Sequence, residues 1–332
     1  MSRPAAFIHF GLPKCGSTFL QGVWGEDKRY TAADLTGAAQ ACRQLAAKGQ
    51  TTALPKLDFS LRARAGTTLV ASSEGFSWAF LGRPQLLERI RVLHTVGAKV
   101  TGAAGISDTA LFMVRNPLDW IRAAHEQTIK EGGWLNGGEF LAQRRALVEC
   151  VLDLKHIQSA FKGPFKRVLF LSADEMRQDP EAFWERYARL LRVPRPEAAA
   201  IQTVRESSAF SNTSLKTRAP LLARLNRVMG GVGSIWEARE GLPPDLLKER
   251  ELLLPKYHQT RVWAARRAAE ASTDTELEAL IGGAHAEMSA GFSDLPLDDA
   301  LKAYLRTHFC DVLDAHDTVP DALKADYRTA LA

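Results

Sequence analysis

Phe7-Ile8-His9-Phe10-Gly11-Leu12-Pro13-Lys14-Cys15-Gly16-Ser17-Thr18-Phe19-Leu20-Gln21 decides how this chain folds. The apolar run predicts a short buried strand. Gly11 and Gly16 bound a loop, and Ser17 opens a helix running toward Trp24. A strand feeding a loop that starts a helix is a ready anion site. The loop amides face inward, and the helix N-terminus carries roughly half a positive charge. Lys14 adds a full charge, and Ser17 and Thr18 add hydroxyl donors.

The spacing is close to the nucleotide loop G-x-x-x-x-G-K-[ST], with Gly11 and Gly16 at the two glycines. No lysine follows Gly16; the lysine stands earlier, at Lys14, and meets its anion from the loop side. Pro13-Lys14-Cys15-Gly16-Ser17-Thr18 resembles, at every position, the 5′-phosphosulfate loop of sulfotransferases that use 3′-phosphoadenosine 5′-phosphosulfate (PAPS). The resemblance implies that all six residues contact the cofactor.

The chain has 332 residues, 46% hydrophobic and 24% charged, which is ordinary globular material. Its length allows one large α/β domain or two small ones. A net charge of +5 biases it toward anionic partners. No dense Lys/Arg run interleaved with aromatics marks a nucleic-acid surface. The first strand begins too early to leave room for a signal peptide, and no apolar run is long enough to span a bilayer. Cys15, Cys42, Cys150 and Cys310 show neither C-x-x-C nor Cys/His metal spacing. A reduced, cytoplasmic protein with no metal is expected. Cys15 is a candidate redox-sensitive thiol if the loop lowers its pKa.

Beyond the loop, alanine-rich Thr31 to Lys48 reads as helix and Leu54-Pro55-Lys56 as a break. Thr67 to Gly75 reads as a second strand with Glu74 at its carboxyl end, and Pro84 opens a helix through Val92. Gly97 to Ser107 is too small in its side chains to assign. Ala110 to Val114 is the clearest buried strand, with Asn116 as N-cap and Pro117 at the first position of the next helix. Gly132-Gly133 and Gly137-Gly138 bracket a loop holding Trp134. A helix from about Glu139 to Phe161, a strand at Arg167 to Leu171 and a helix from Asp179-Pro180 to Leu191 follow. Apolar strands alternating with helices predict a parallel sheet covered on both faces. The expected fold is a P-loop NTPase-like three-layer α/β domain over 1–332. Its core is 1–205, and a mainly helical part, 206–332, packs on that core.

Two later stretches extend the resemblance, which covers roughly the first 225 residues. Val114-Arg115-Asn116-Pro117 resembles the Arg-x-Pro motif that grips the 3′-phosphate of PAPS, and arginine suits bidentate phosphate binding. The serine that motif carries eight residues later is Ala123 here, and Arg122 beside it lies about 100° round the helix. Ser207 to Leu215 resembles the Asn-x-Ser segment of bacterial members, which implies cofactor contact by Ser211, Asn212 and Ser214. Asp174-Glu175 reads as structural.

Sulfuryl transfer needs positioning, charge stabilisation and a base. Lys14 is placed to neutralise the oxygen bridging phosphate and sulfur. Glu74 is the first base candidate, His125 the second, and His9, inside the first strand, the third. Trp134 suits either stacking on a sugar or a place in the core. The reading is a PAPS-dependent sulfotransferase acting on a hydroxyl and releasing 3′-phosphoadenosine 5′-phosphate (PAP). A saccharide is the favoured acceptor beside a lipid headgroup or a small metabolite. The alternatives are a P-loop kinase-like phosphotransferase and a non-catalytic nucleotide binder. No feature sets the oligomeric state.

Overall fold

The computed structural model describes residues 5–55, 61–80, 84–130, 132–208, 218–228, 273–281, 283–289 and 291–332. Ser211, Asn212 and Ser214 lie outside them. Five strands form one all-parallel sheet: β1 (Phe7–Phe10), β2 (Tyr30–Asp34), β3 (Thr68–Ser73), β4 (Thr109–Val114) and β5 (Arg167–Ser172). Their order is β2-β3-β1-β4-β5. The chain runs from β1 out to one edge, returns through β3, then continues on the far side of β1. The strand order therefore reverses at β1, and ligands of open α/β sheets bind at the carboxyl ends of strands at such a reversal.

Successive β1 side chains point to opposite faces, and each face meets its own layer. Phe7 packs on Trp24 and Tyr187, with ring centroids 5.5 and 6.0 Å apart, and His9 packs on Trp24. These partners lie on α1 (Ser17–Glu26) and α8 (Pro180–Leu191). On the other face Phe10 gathers Phe76, Phe112, Phe161 and Phe165 within 5.7 Å. The result is a three-layer α/β arrangement in which all four β1 residues are 0% exposed.

Three local expectations change. Thr31 to Lys48 is not one helix: Tyr30–Asp34 is the edge strand β2, and only Thr36–Ala47 is helical (α2). Alanine's helix preference gives way to pairing with β3, Tyr30 opposite Thr68 through Asp34 opposite Ser72. After a short 3₁₀ turn at Pro84–Leu86, the helix expected to end near Val92 is α3 (Arg89–Ala103), which absorbs much of the unassigned small-residue stretch. Small residues serve close packing there, since a Cβ on Gly97 would lie 2.8 Å from the Phe76 ring and one on Gly102 2.6 Å from Pro164. The helix expected over Glu139 to Phe161 divides into α5 (Gly137–Val151) and α6 (Leu154–Phe161). Asp153 ends the first by capping the second, accepting from the His156 amide at 3.0 Å.

Between β4 and α5 runs α4 (Pro117–Lys130), and after β5 come α7 (Ala173–Gln178), α8 and α9 (Ala198–Ser208). Beyond these the described helices include α10 (Ala219–Val228), α11 (Asp274–Ile281), α12 (Asp299–Leu305), α13 (Asp311–Asp314) and α14 (Asp321–Thr329). Leu301, Phe309, Leu313 and Tyr327 join the same core as the sheet. The Tyr327 hydroxyl donates to Asp174 Oδ2 at 2.8 Å and lies 2.7 Å from Ser172 Oγ, tying α14 to the carboxyl end of β5. Among the described residues no helix is long and apolar enough to cross a membrane. All four cysteines are buried free thiols.

Candidate functional site

The register of the sheet assembles the site. Phe10 pairs with Ser73, so Gly11 follows β1 directly beside Glu74, and the Gly11 amide donates to Ser73 O at 3.1 Å. A side chain on Gly11 has no room: its Cβ would lie 2.7 Å from Glu74 Cγ and 2.8 Å from Ser17 Oγ. On the other flank Val114 pairs with Ser172, which sets Arg115-Asn116 against Ala173-Asp174.

The loop is held from outside. Ser17 Oγ donates to Leu12 O (3.4 Å), the buried Trp120 indole N–H to Pro13 O (2.7 Å), and an Arg115 guanidinium N–H to Lys14 O (3.4 Å). With three successive carbonyls engaged by these donors, the loop's free hydrogen-bonding capacity lies in its amides. Lys14 and Gly16 both take the left-handed conformation, at φ 62° and 86°. Lysine there is a strained choice retained by its surroundings. Gly16 is the N-cap of α1 and supplies no side-chain hydrogen bond, so the first amides of α1 have neither an intrahelical partner nor a cap from the N-cap side chain.

These elements open onto one cavity of about 780 Å³. Pro13, Lys14, Gly16, Ser17 and Thr18 line it, with Glu74, Arg115 and Ala123. Among the described residues six cations face it (Lys14, Arg115, Arg122, Lys130, Arg177, Arg205) against three acids (Glu74, Asp119, Glu126), a balance that suits a polyanion. Arg122 pairs with Asp119 at 3.1 Å on the surface, a contact worth little. Arg115 Nε is buried with no hydrogen-bond partner among the described residues. A buried donor without an acceptor is costly, and an anion in the cavity would satisfy it.

Burial raises the Glu74 pKa above its ordinary 4.5, while the Ser17 hydroxyl and the Lys14 charge pull it back. Lys14 Nζ donates to Gln127 Oε1 at 2.5 Å. Asn116 caps α4 as expected, its Oδ1 accepting from the amides of Leu118 (3.0 Å) and Asp119 (3.5 Å). Asp174, 4% exposed, accepts from the Asn116 amide at 2.7 Å, from Tyr327, and from Arg177. It braces the turn that carries Arg115. Glu175 instead pairs with Arg186 Nε at 3.0 Å.

Four residues singled out in the sequence do not join the cavity. His125 is 2% exposed, with Nε2 2.7 Å from Leu135 O and its ring between Phe140 and Phe292. Burial holds its pKa down. It is a core histidine, because its helical position turns it away from the wall that Ala123 and Gln127 line. His9 is also core, 2.9 Å from Ser72 Oγ, its pKa lowered to about 3 by burial. Trp134 packs half-buried against the hydrophobic core. Cys15 points inward at 1% exposure, and burial pushes its thiol pKa well up, outweighing the nearby Arg115 charge. Within the loop it is a packing residue rather than a reactive thiol.

Other wall residues were not apparent in the sequence reading. Gln127 and Lys130 follow Asp119 and Ala123 at helical spacing, so the periodicity of α4 held that signal. Arg205 comes from α9, which approaches α1 closely: a Cβ on Gly22 would lie 2.8 Å from Val204 Cγ1. Met176 and Arg177 come from α7, and Trp78 from the segment after β3; no local pattern foretells these. Among the described residues no group of three or more His, Cys, Asp or Glu side chains is arranged to hold a metal ion.

The fold and the cavity define a three-layer α/β protein with a cation-lined site at the carboxyl edge of a parallel sheet. No protein-family model matches the chain, and no curated protein matches it.

Proposed function

We propose that this protein is a sulfotransferase that moves a sulfuryl group from PAPS to a hydroxyl of an acceptor and releases PAP, its loop acting as a P-loop-like phosphosulfate cradle. One observation carries the reading: Lys14, the uncapped start of α1, Arg115 and Glu74 line a single cavity, although Lys14 and Arg115 stand 101 residues apart. The α1 amides and the loop bind the 5′-phosphosulfate, and Lys14 stabilises charge developing on the bridging oxygen. Arg115 grips the 3′-phosphate. Glu74 takes the acceptor's proton, its burial holding it closer to neutrality than an exposed carboxylate.

Thermal stability with PAP, without and with magnesium, beside ATP, tests the reading. PAP at a hundred times its Kd adds about 2.7 kcal/mol to the folded state, a rise in Tm of a few degrees for a chain of this size. Stabilisation by PAP without metal, and little by ATP, is the expected result. Stabilisation only by ATP with magnesium supports a phosphotransferase instead, and no response to either leaves neither enzyme reading standing.

Glu74 gives a pH signature. Its pKa is raised in the folded state, so the stability it lends is present below pH 4.5 and is lost as pH rises through the raised value. Glu74→Gln is therefore expected to gain Tm relative to wild type between acid pH and neutrality. The same change removes the acid limb of the kcat/KM profile, which in wild type has its midpoint above 4.5. A wild-type midpoint at or below 4.5, or a limb that survives in Glu74→Gln, takes the base role away from Glu74.

A further inference from the structure

A second cavity, of about 520 Å³, lies beside the first at the carboxyl ends of β2 and β3. Its size is that of a small-molecule pocket. Glu74 lines both cavities and forms part of the wall between them. The lining of the second differs in kind. Gln21, Asp34, Thr36, Ser72 and Ser73 supply amide, carboxylate and hydroxyl groups, Trp24 supplies an aromatic wall, and among the described residues no lysine or arginine lines it. Ala32 and Ala33 on β2 also line it and, being small, leave the space open. The polar groups are ordered from behind. Ser72 Oγ lies 2.9 Å from both His9 Nδ1 and Gln21 Nε2. Asp34 Oδ1 accepts from the Thr36 amide (2.9 Å) and hydroxyl (2.6 Å), which fixes the exposed carboxylate.

We infer that this second cavity is the acceptor pocket, and that it takes an uncharged or cationic hydroxyl-rich molecule of sugar size rather than an anionic one. The inference rests on the sulfotransferase reading. A polar wall with two carboxylates and no lysine or arginine among its described lining residues favours hydroxyl or ammonium donors over a carboxylate or sulfate. A molecule held there extends one hydroxyl past Glu74 to the edge of the cation-lined cavity, where the sulfuryl group is bound and Glu74 stands beside the attacking oxygen. In the step, the acceptor oxygen forms its bond to sulfur as the bond from sulfur to the phosphate oxygen breaks. The hydroxyl proton passes to Glu74, and PAP leaves with the electron pair of the broken bond.

The test measures PAP released from PAPS with no acceptor and with methyl glucoside, glucosamine or glucuronate, each against wild type and Ala32→Trp. Ala32 is exposed on an edge strand, where an aromatic side chain is well tolerated. Release above the acceptor-free rate is expected with the neutral or the cationic sugar and not with glucuronate. In Ala32→Trp that increment falls by about tenfold or more, because the indole fills space the hydroxyls need. The PAP-induced rise in Tm is expected to be the same in both proteins. The proposal is overturned if glucuronate is used as well as the others, if the increment survives in Ala32→Trp, or if neither methyl glucoside nor glucosamine raises release while PAP still stabilises wild type. Failure of PAP to stabilise wild type overturns the sulfotransferase reading itself, and the pocket assignment with it.

Discussion

Lys14→Ala is expected to lower kcat for sulfuryl transfer by about 100- to 1,000-fold, the cost of removing one preorganised charge-stabilising donor. Lys14 is the cation of the loop, held in a left-handed conformation at φ 62° with Nζ against Gln127 Oε1. Gln127 is itself a cavity-wall residue, and the Lys14 side chain is half-buried on the same wall. An alanine tolerates the same backbone about as well as lysine does, so the ligand-free Tm is expected to stay close to wild type. PAP carries no sulfuryl group, so its binding falls less than turnover does. The decisive comparison is kcat against the PAP-induced Tm shift in the same variant. Unchanged acceptor sulfation in Lys14→Ala removes Lys14 from the mechanism.

Arg115→Met is expected to raise the Kd for PAP by about 10- to 150-fold while leaving the ligand-free protein no less stable. A hydrogen bond to a charged group contributes about 1.5–3 kcal/mol, which sets that range. The stability half of the prediction follows from what Arg115 does without ligand. Its Nε is buried without a partner among the described residues, and its contact to Lys14 O is long, at 3.4 Å. Methionine keeps the stem and removes the uncompensated donor. On the proposed sulfotransferase reading, Ala123 offers no hydroxyl beside Arg115, so the grip on the 3′-phosphate is expected to rest on the arginine. Isothermal titration with PAP, beside a ligand-free melt, checks both halves. A Kd within twofold of wild type, or a fall in ligand-free Tm, assigns Arg115 to structure.

The legible parts of the site were local ones. The strand, loop and helix start around Lys14 occupy a dozen consecutive residues, and the Arg115-Asn116-Pro117 turn carries its own cap. Glu74 was readable because serine and glycine mark the end of its strand. His125 shows the limit. Its spacing after Arg115 suggested proximity to the chemistry, yet the helix turns it into the core, where Leu135 O occupies its Nε2. Gln127 was within reach of the same helical reasoning, four residues after Ala123 and on the wall that faces Lys14.

The sequence by itself determined a parallel α/β sheet with a glycine-bounded turn between its first strand and first helix. Apolar strand runs, glycine spacing and helix caps act over a few residues and need no distant partner. Tertiary structure alone decided that Tyr30–Asp34 is an edge strand, because pairing with β3 outweighs the helix preference of two alanines. It also brought Arg205 to the cavity through the contact of Gly22 with Val204, braced the Arg115 turn with Asp174 and Tyr327, and set Glu74 between two cavities. Each of these joins residues far apart in the chain. Their proximity follows from sheet order and helix packing, which no short window of sequence encodes.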